Sequence, residues 1–171
     1  WGGGSAPTQY SARDAVVNSW HYFPDNGSDT VTVTANAQAG QGNSVETDSF
    51  EVVVSNVAPD LTLSGGATVE QNLPYTLTLG SVYDPGADTV TEYRIDWGDG
   101  SPVQVIATGD LPANRELVHT YTSTGNRTIS VSLVDEDGTH ASVDTQLVQV
   151  SAAAEVLTVN AGNDLTVNEG Q

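Results

Sequence analysis

Five aspartates stand in turn-like stretches where carboxylate oxygens can converge. Asp84 and Asp88 bracket Tyr83-Asp84-Pro85-Gly86-Ala87-Asp88, Asp99 sits in Trp97-Gly98-Asp99-Gly100, and Asp135 and Asp137 belong to Asp135-Glu136-Asp137-Gly138. Loop carboxylates and carbonyls suit Ca²⁺, a hard cation that accepts about 6–8 oxygens in loose geometry. The plainer reading is a set of solvated turns, because Asp-Gly tolerates positive φ. Neither the spacing of an EF-hand nor a nonapeptide calcium repeat is present. Asp96 and Asp99 are a carboxylate pair of the kind glycosidases use, but a tight hairpin accounts for them and no pocket-forming insertion accompanies them. His21, His119 and His140 are the only imidazoles. A catalytic base needs a nucleophile or metal partner, and the sequence signals neither. His119 reads as structural, hydrogen-bonded to backbone, and His140 as an exposed strand residue. No P-loop, dinucleotide fingerprint or nucleophile elbow occurs, so the expectation is a protein that is not an enzyme.

Aromatic side chains offer a second chemistry. Trp20 and Tyr22 could stack on a glycan if exposed, although a sealed core or interface is the expectation for such side chains. Trp97 alternates with Ile95 and Tyr93, which marks it as a core residue rather than a sugar platform.

The elements that position these residues are strands. The chain has 171 residues, with 37% hydrophobic and 6% aromatic side chains, enough for one to two lean domains. There is no Cys, which excludes disulfides and thiolate metal sites. Acidic residues outnumber basic ones 22 to 4, a net charge of −18. Such a surface repels phosphates and anionic lipid, so nucleic acid is excluded as a partner. It attracts divalent cations and points to an extracellular setting. No apolar stretch approaches the ~20 residues of a membrane helix. The chain opens on Trp1 rather than Met and reads as part of a longer precursor. Asn26-Gly27-Ser28 and Asn126-Arg127-Thr128 match the N-glycosylation sequon, which matters only in a glycosylating host.

Self-similarity organises the chain. Trp1-Gly2-Gly3-Gly4-Ser5 returns as Trp97-Gly98-Asp99-Gly100-Ser101, a shift of 96. His21-Tyr22-Phe23, Gly27 and Thr30-Val31-Thr32-Val33 return as His119-Thr120-Tyr121, Gly125 and Thr128-Ile129-Ser130-Val131, a shift of 98. Thr68-Val69-Glu70 returns as Thr166-Val167-Asn168 at the same shift. The expected organisation is the back part of one unit over 1–57, a complete unit over 58–152, and the opening strands of a third over 153–171. Pro59 and Ser151-Ala152-Ala153-Ala154 mark short joints, which make neighbouring units semi-rigid.

Within the complete unit, period-2 alternation predicts about seven strands. Leu61–Leu63 and Ala67–Val69 form a split first strand about Gly65-Gly66. Tyr75–Leu79 and Tyr93–Trp97 follow, and Gly98-Asp99-Gly100 turns the chain into a return strand over Pro102–Ile106. Glu116–Thr120, Thr128–Leu133 and Ser142–Val150 complete the set. Turn signals every 8–12 residues are the pattern of an immunoglobulin-like β-sandwich, and Tyr121 stands at the corner where a hydroxyl ties the loop to the backbone.

Asp96-Trp97-Gly98-Asp99-Gly100-Ser101, His119-Thr120-Tyr121, Gly125 and Ser132-Leu133-Val134-Asp135-Glu136-Asp137-Gly138, in this order, resemble the PKD (polycystic kidney disease) repeat. The flanking partial units match more weakly, with Gly3 where the complete unit has Asp99 and Ala37-Gln38-Ala39-Gly40 in place of Asp135–Gly138. The resemblance implies tandem immunoglobulin-like sandwiches, secreted or at a bacterial or archaeal cell surface, with Gly98, Gly100, Trp97, His119 and Tyr121 structural. It also implies a spacer or adhesive building block, as in adhesins, surface layers and filaments, or else an accessory carbohydrate- or substrate-binding module of a secreted hydrolase. The implied partners are neighbouring repeats, identical subunits in a filament, and a glycan or other surface ligand. Calcium is the only cofactor the resemblance suggests.

Overall fold

The computed structural model describes residues 19–39, 42–154 and 162. Its elements are strands, apart from one short 3-10 turn at Thr108–Asp110. In chain order the strands are β1 (Gly27–Ala39), β2 (Gly42–Val54), β3 (Leu63–Gly65), β4 (Thr68–Glu70), β5 (Pro74–Leu79), β6 (Glu92–Asp96), β7 (Gln104–Ala107), β8 (Glu116–Thr120), β9 (Gly125–Val134) and β10 (Thr139–Ser151).

From β3 onward they build a sandwich. A five-stranded sheet runs β4-β10-β9-β6-β7 and a three-stranded sheet runs β3-β5-β8. The split first strand thus divides between the sheets: β3 pairs antiparallel with β5, while β4 pairs in parallel with the last strand, β10. Alternation decides which side chains face inward. Tyr75, Leu77 and Leu79 of β5, Tyr93 and Ile95 of β6, Ile129, Val131 and Leu133 of β9, and Val148 and Val150 of β10 form one buried cluster with Trp97 and Tyr121. Dense aliphatic and aromatic packing between two sheets removes apolar surface from water, the principal favourable term in folding.

The expected strand ends are met within a few residues, with two differences. The return strand begins at Gln104, because Pro102 has no N–H to give to a ladder. The last strand starts earlier, at Thr139, and carries a register shift between His140 and Asp144, where Ser142 takes φ 52°. That bulge releases Asp144, whose carboxylate accepts the Leu63 N–H at 2.7 Å and ties β3 across to β10.

β1 and β2 form a separate two-stranded antiparallel hairpin, with Val31 opposite Phe50 and Gly27 opposite Val54. Val31 is buried, while Val33, Val45, Phe50 and Val53 are exposed. The root of the hairpin meets the sandwich at the end that carries the β9–β10 turn, where Asn26 Nδ2 donates to Asp137 Oδ1 at 3.0 Å.

Candidate functional site

Two constellations of polar and aromatic side chains stand at opposite ends of the sandwich. β6 enters beside Val134 and leaves beside Ser130, so the turn after β6 and the turn after β9 point to opposite poles.

The first lies past the end of β6. Asp96 Oδ1 accepts the Gly98 N–H at 2.9 Å and Asp99 Oδ1 the Ser101 N–H at 3.0 Å, two self-contained Asx turns. Gly98 takes φ +72°, and a β-carbon there would run into the Thr128 carbonyl oxygen, so only glycine fits. Trp97 is 2% exposed and its Nε1 donates to Gln104 Oε1 at 3.0 Å. The His119 ring stacks on Trp97, with centroids 4.6 Å apart and planes 8° from parallel. His119 Nε2 lies 2.8 Å from Asp99 Oδ2. The expected backbone partner of His119 is therefore replaced by a carboxylate twenty residues upstream. The Tyr121 hydroxyl donates to the Trp97 carbonyl at 3.1 Å, the tie expected of a corner tyrosine. Burial pushes the Asp99 carboxyl up, but hydrogen bonds from Ser101 and His119 outweigh it and hold the group at about 2. Among the described residues the partner of the His119 ring nitrogen is a carboxylate, not a hydroxyl. These contacts clamp the turn after β6 to the core.

The second lies at the β9–β10 end. Asp135 is buried and its Oδ1 accepts the N–H groups of Asp137 and Gly138 at 2.9 and 3.1 Å. Its Oδ2 lies 2.7 Å from His140 Nε2. His140 is thus a partly buried neighbour of Asp135, not the exposed strand residue its position suggests: the turn folds Asp135 back beneath it. Burial raises the Asp135 carboxyl, and the His140 contact and the two backbone N–H groups lower it by more. Nearby, Asp84 Oδ1 accepts the Gly86 N–H at 3.1 Å, and Glu136 accepts the Thr89 N–H at 2.8 Å. Asp88 faces Asp25, Asp137 and Asp84. Burial first, then those three like charges, lift its carboxyl to about 6.

The five aspartates considered for calcium do not form one site. Asp99 is at the far pole and paired with His119; Asp135 is paired with His140. Asp84, Asp88 and Asp137 do gather at one end, joined by Asp25, which the sequence does not single out. Among the described residues, no group of three or more His, Cys, Asp or Glu side chains is arranged to hold a metal ion.

Trp20 and Tyr22 are 89% and 66% exposed. Neither is sealed in the core, which corrects that part of the expectation for both. The physical reason lies in the alternation over 20–23, where Trp20 and Tyr22 face out while His21 and Phe23 are partly covered. The His21 and Phe23 rings meet edge-on at 4.7 Å and 79°, and His119 and Tyr121 meet at 4.7 Å and 78°. The same two-residue spacing is held in the same way at positions 98 residues apart.

No family model matches the chain, and no curated protein matches it. The functional reading therefore stands on the residues and their geometry.

Proposed function

We propose that the chain is a run of tandem immunoglobulin-like units of PKD type serving as an extracellular spacer or adhesive building block, and not as an enzyme. The observation that carries this reading is the parallel pairing of the first and last strands of the sandwich. Thr68, Val69 and Glu70 lie beside Gln149, Val150 and Ser151 in register. The Gln149 N–H donates to the Ala67 carbonyl at 2.9 Å and the Gln71 N–H to the Ser151 carbonyl at 2.8 Å, which extend the ladder at both ends. Tension along a string of such units enters through the first strand and leaves through the last. In a parallel pair it pulls the two strands past each other, so the bridging hydrogen bonds share the load and must break together. An antiparallel pair pulled from one end would unzip one bond at a time. The 98-residue recurrence of sequence and of the His–aromatic contact supports the tandem arrangement.

Much of both polar constellations is occupied by hydrogen bonds within the fold, which supports a structural role for them. Single-molecule force extension of the chain tests the proposal. Pulling through the two ends should give one abrupt unfolding event for the sandwich, and Gln149→Pro, which removes the N–H given to the Ala67 carbonyl, should lower its force. A chain that extends gradually, with the variant no weaker, would sink the mechanical reading. A binding module is the second reading, and the exposure of Trp20 and Tyr22 favours it.

A further inference from the structure

Where the hairpin root meets the sandwich there is a cleft of about 120 Å³. Tyr22 and Asp25 enter it from the segment ahead of β1, Val57 from the link after β2, and Pro85 and Asp88 from the loop before β6. Drug-sized pockets run to about 300–1,000 Å³, so this cleft has the size of one shallow subsite.

Its chemistry is mixed in an informative way. Tyr22 offers an exposed ring at the rim, and Trp20, two residues away, extends the aromatic surface outward. In an extended chain such residues share one side, about 6.5–7 Å apart. The positions related to them by the 98-residue shift, Val118 and Thr120, are also exposed, on the outer side of β8. The outward aim of Trp20 and Tyr22 therefore belongs to the register of the strand. The cleft wall mixes carboxylates with the amide and hydroxyl side chains of Asn26, Ser55 and Asn56. Asp25 and Asp88 bring carboxylates to its wall, and Asn26 Nδ2 is already committed to Asp137.

We propose that this inter-unit cleft is a binding subsite for a neutral glycan, with Tyr22 and Trp20 stacking on the C–H faces of successive sugar rings and the polar wall of Asp25, Asn56 and Asp88 pairing with their hydroxyls. Sugars combine an apolar face, which suits the negative face of an aromatic ring, with a rim of O–H donors. The net charge of −18 and the carboxylates at the cleft disfavour uronic or sulfated polymers. This inference rests on the binding-module reading and is independent of the spacer reading.

The test is titration of the chain with cellohexaose, chitohexaose, xylohexaose and laminarihexaose, followed by calorimetry and NMR in EDTA at neutral pH. Heparin and polygalacturonate serve as anionic controls. At least one neutral hexaose should bind, shifting amides of Tyr22–Asn26 and Pro85–Asp88. Trp20→Ala and Tyr22→Ala should each weaken it about tenfold, the loss of one aromatic anchor, and Asp88→Ala several-fold. Unchanged circular dichroism of the three variants separates lost contacts from lost fold. Binding of none of the four, preference for the anionic polymers, or binding of a proline-rich peptide at the same amides instead would overturn the proposal. Binding that depends on Trp20 but not on Tyr22 or Asp88 would overturn the cleft while leaving a binding module in place.

Discussion

Replacing Tyr121 by Phe isolates one oxygen at the centre of the clamp. The ring is fully buried and packs against Tyr75 and His119, and Phe keeps that volume. What disappears is the bond from the hydroxyl to the Trp97 carbonyl at 3.1 Å. A typical hydrogen bond contributes about 0.5–1.5 kcal/mol net, and leaving its buried partner unsatisfied costs about 1–3 kcal/mol. Trp97 is enclosed and its carbonyl sits in the tight turn before Gly98, so the upper half of that range applies, about 2 kcal/mol. For a domain of 60–100 residues this lowers Tm by about 8–16 °C. Urea denaturation followed by the fluorescence of Trp97 measures it, with Trp1 and Trp20 replaced by Phe in both proteins. The midpoint should fall and the m-value stay constant, because the unfolded surface is unchanged. A loss below about 0.5 kcal/mol would refute the claim that this bond fixes the turn to the core. A changed m-value would show that the variant alters the compactness of a state instead.

Other perturbations follow from the same geometry. Asp99, held at about 2, and Asp135, also lowered, are stabilised as anions. Their contribution is complete above the ordinary carboxylate range and lost as pH falls through it towards about 2. Asp88, raised to about 6, acts with the opposite sign: its contribution is present below about 4 and lost as pH rises to about 6. Denaturation curves collected against pH should therefore show stability rising from about 2 to 4 and an Asp88-dependent fall from about 4 to 6. Asp88→Asn should abolish the fall, and an unchanged curve would contradict the environment assigned to Asp88. The two turn glycines should separate cleanly. Gly98→Ala drives a methyl into the Thr128 carbonyl and should cost more than about 2 kcal/mol, whereas Gly100→Ala, at φ +84° with open space around it, should cost about 1–2 kcal/mol. Equal losses in thermal unfolding would mean that the close approach at Gly98 is not real.

The strands were legible because their signal is local. Tyr93, Ile95 and Trp97 alternate with polar neighbours, and the structure buries all three. Gly65-Gly66 announces a break in the first strand, although not that its halves join different sheets. That outcome depends on pairing with β5 and β10, which lie elsewhere in the sequence. The partners of the histidines were not legible for the same reason. His119 reaches Asp99 only because β8 passes the end of β6, and His140 reaches Asp135 only because the turn is tight and β10 then bulges. Arg115 is a further case: from φ 56° it donates to the carbonyls of Leu79 and Gly80 and contacts the Tyr93 hydroxyl, three contacts that no motif announces. The cleft joins Tyr22–Asn26 to Pro85–Asp88 across more than fifty residues. The one sequence signal there was the pair of aromatics at Trp20 and Tyr22. Their outward aim becomes readable once the 98-residue register places them on Val118 and Thr120.

The mechanical account depends on the first and last strands of the sandwich lying side by side in parallel. Amide hydrogen exchange by NMR reads that pairing directly. The Gln71 and Gln149 amides, which donate to Ser151 and Ala67, should exchange about as slowly as those of the β9 core residues Ile129 and Val131, opening only on global unfolding. Exchange of these two amides at the rate of an open loop, with the β9 core still protected, would contradict the account.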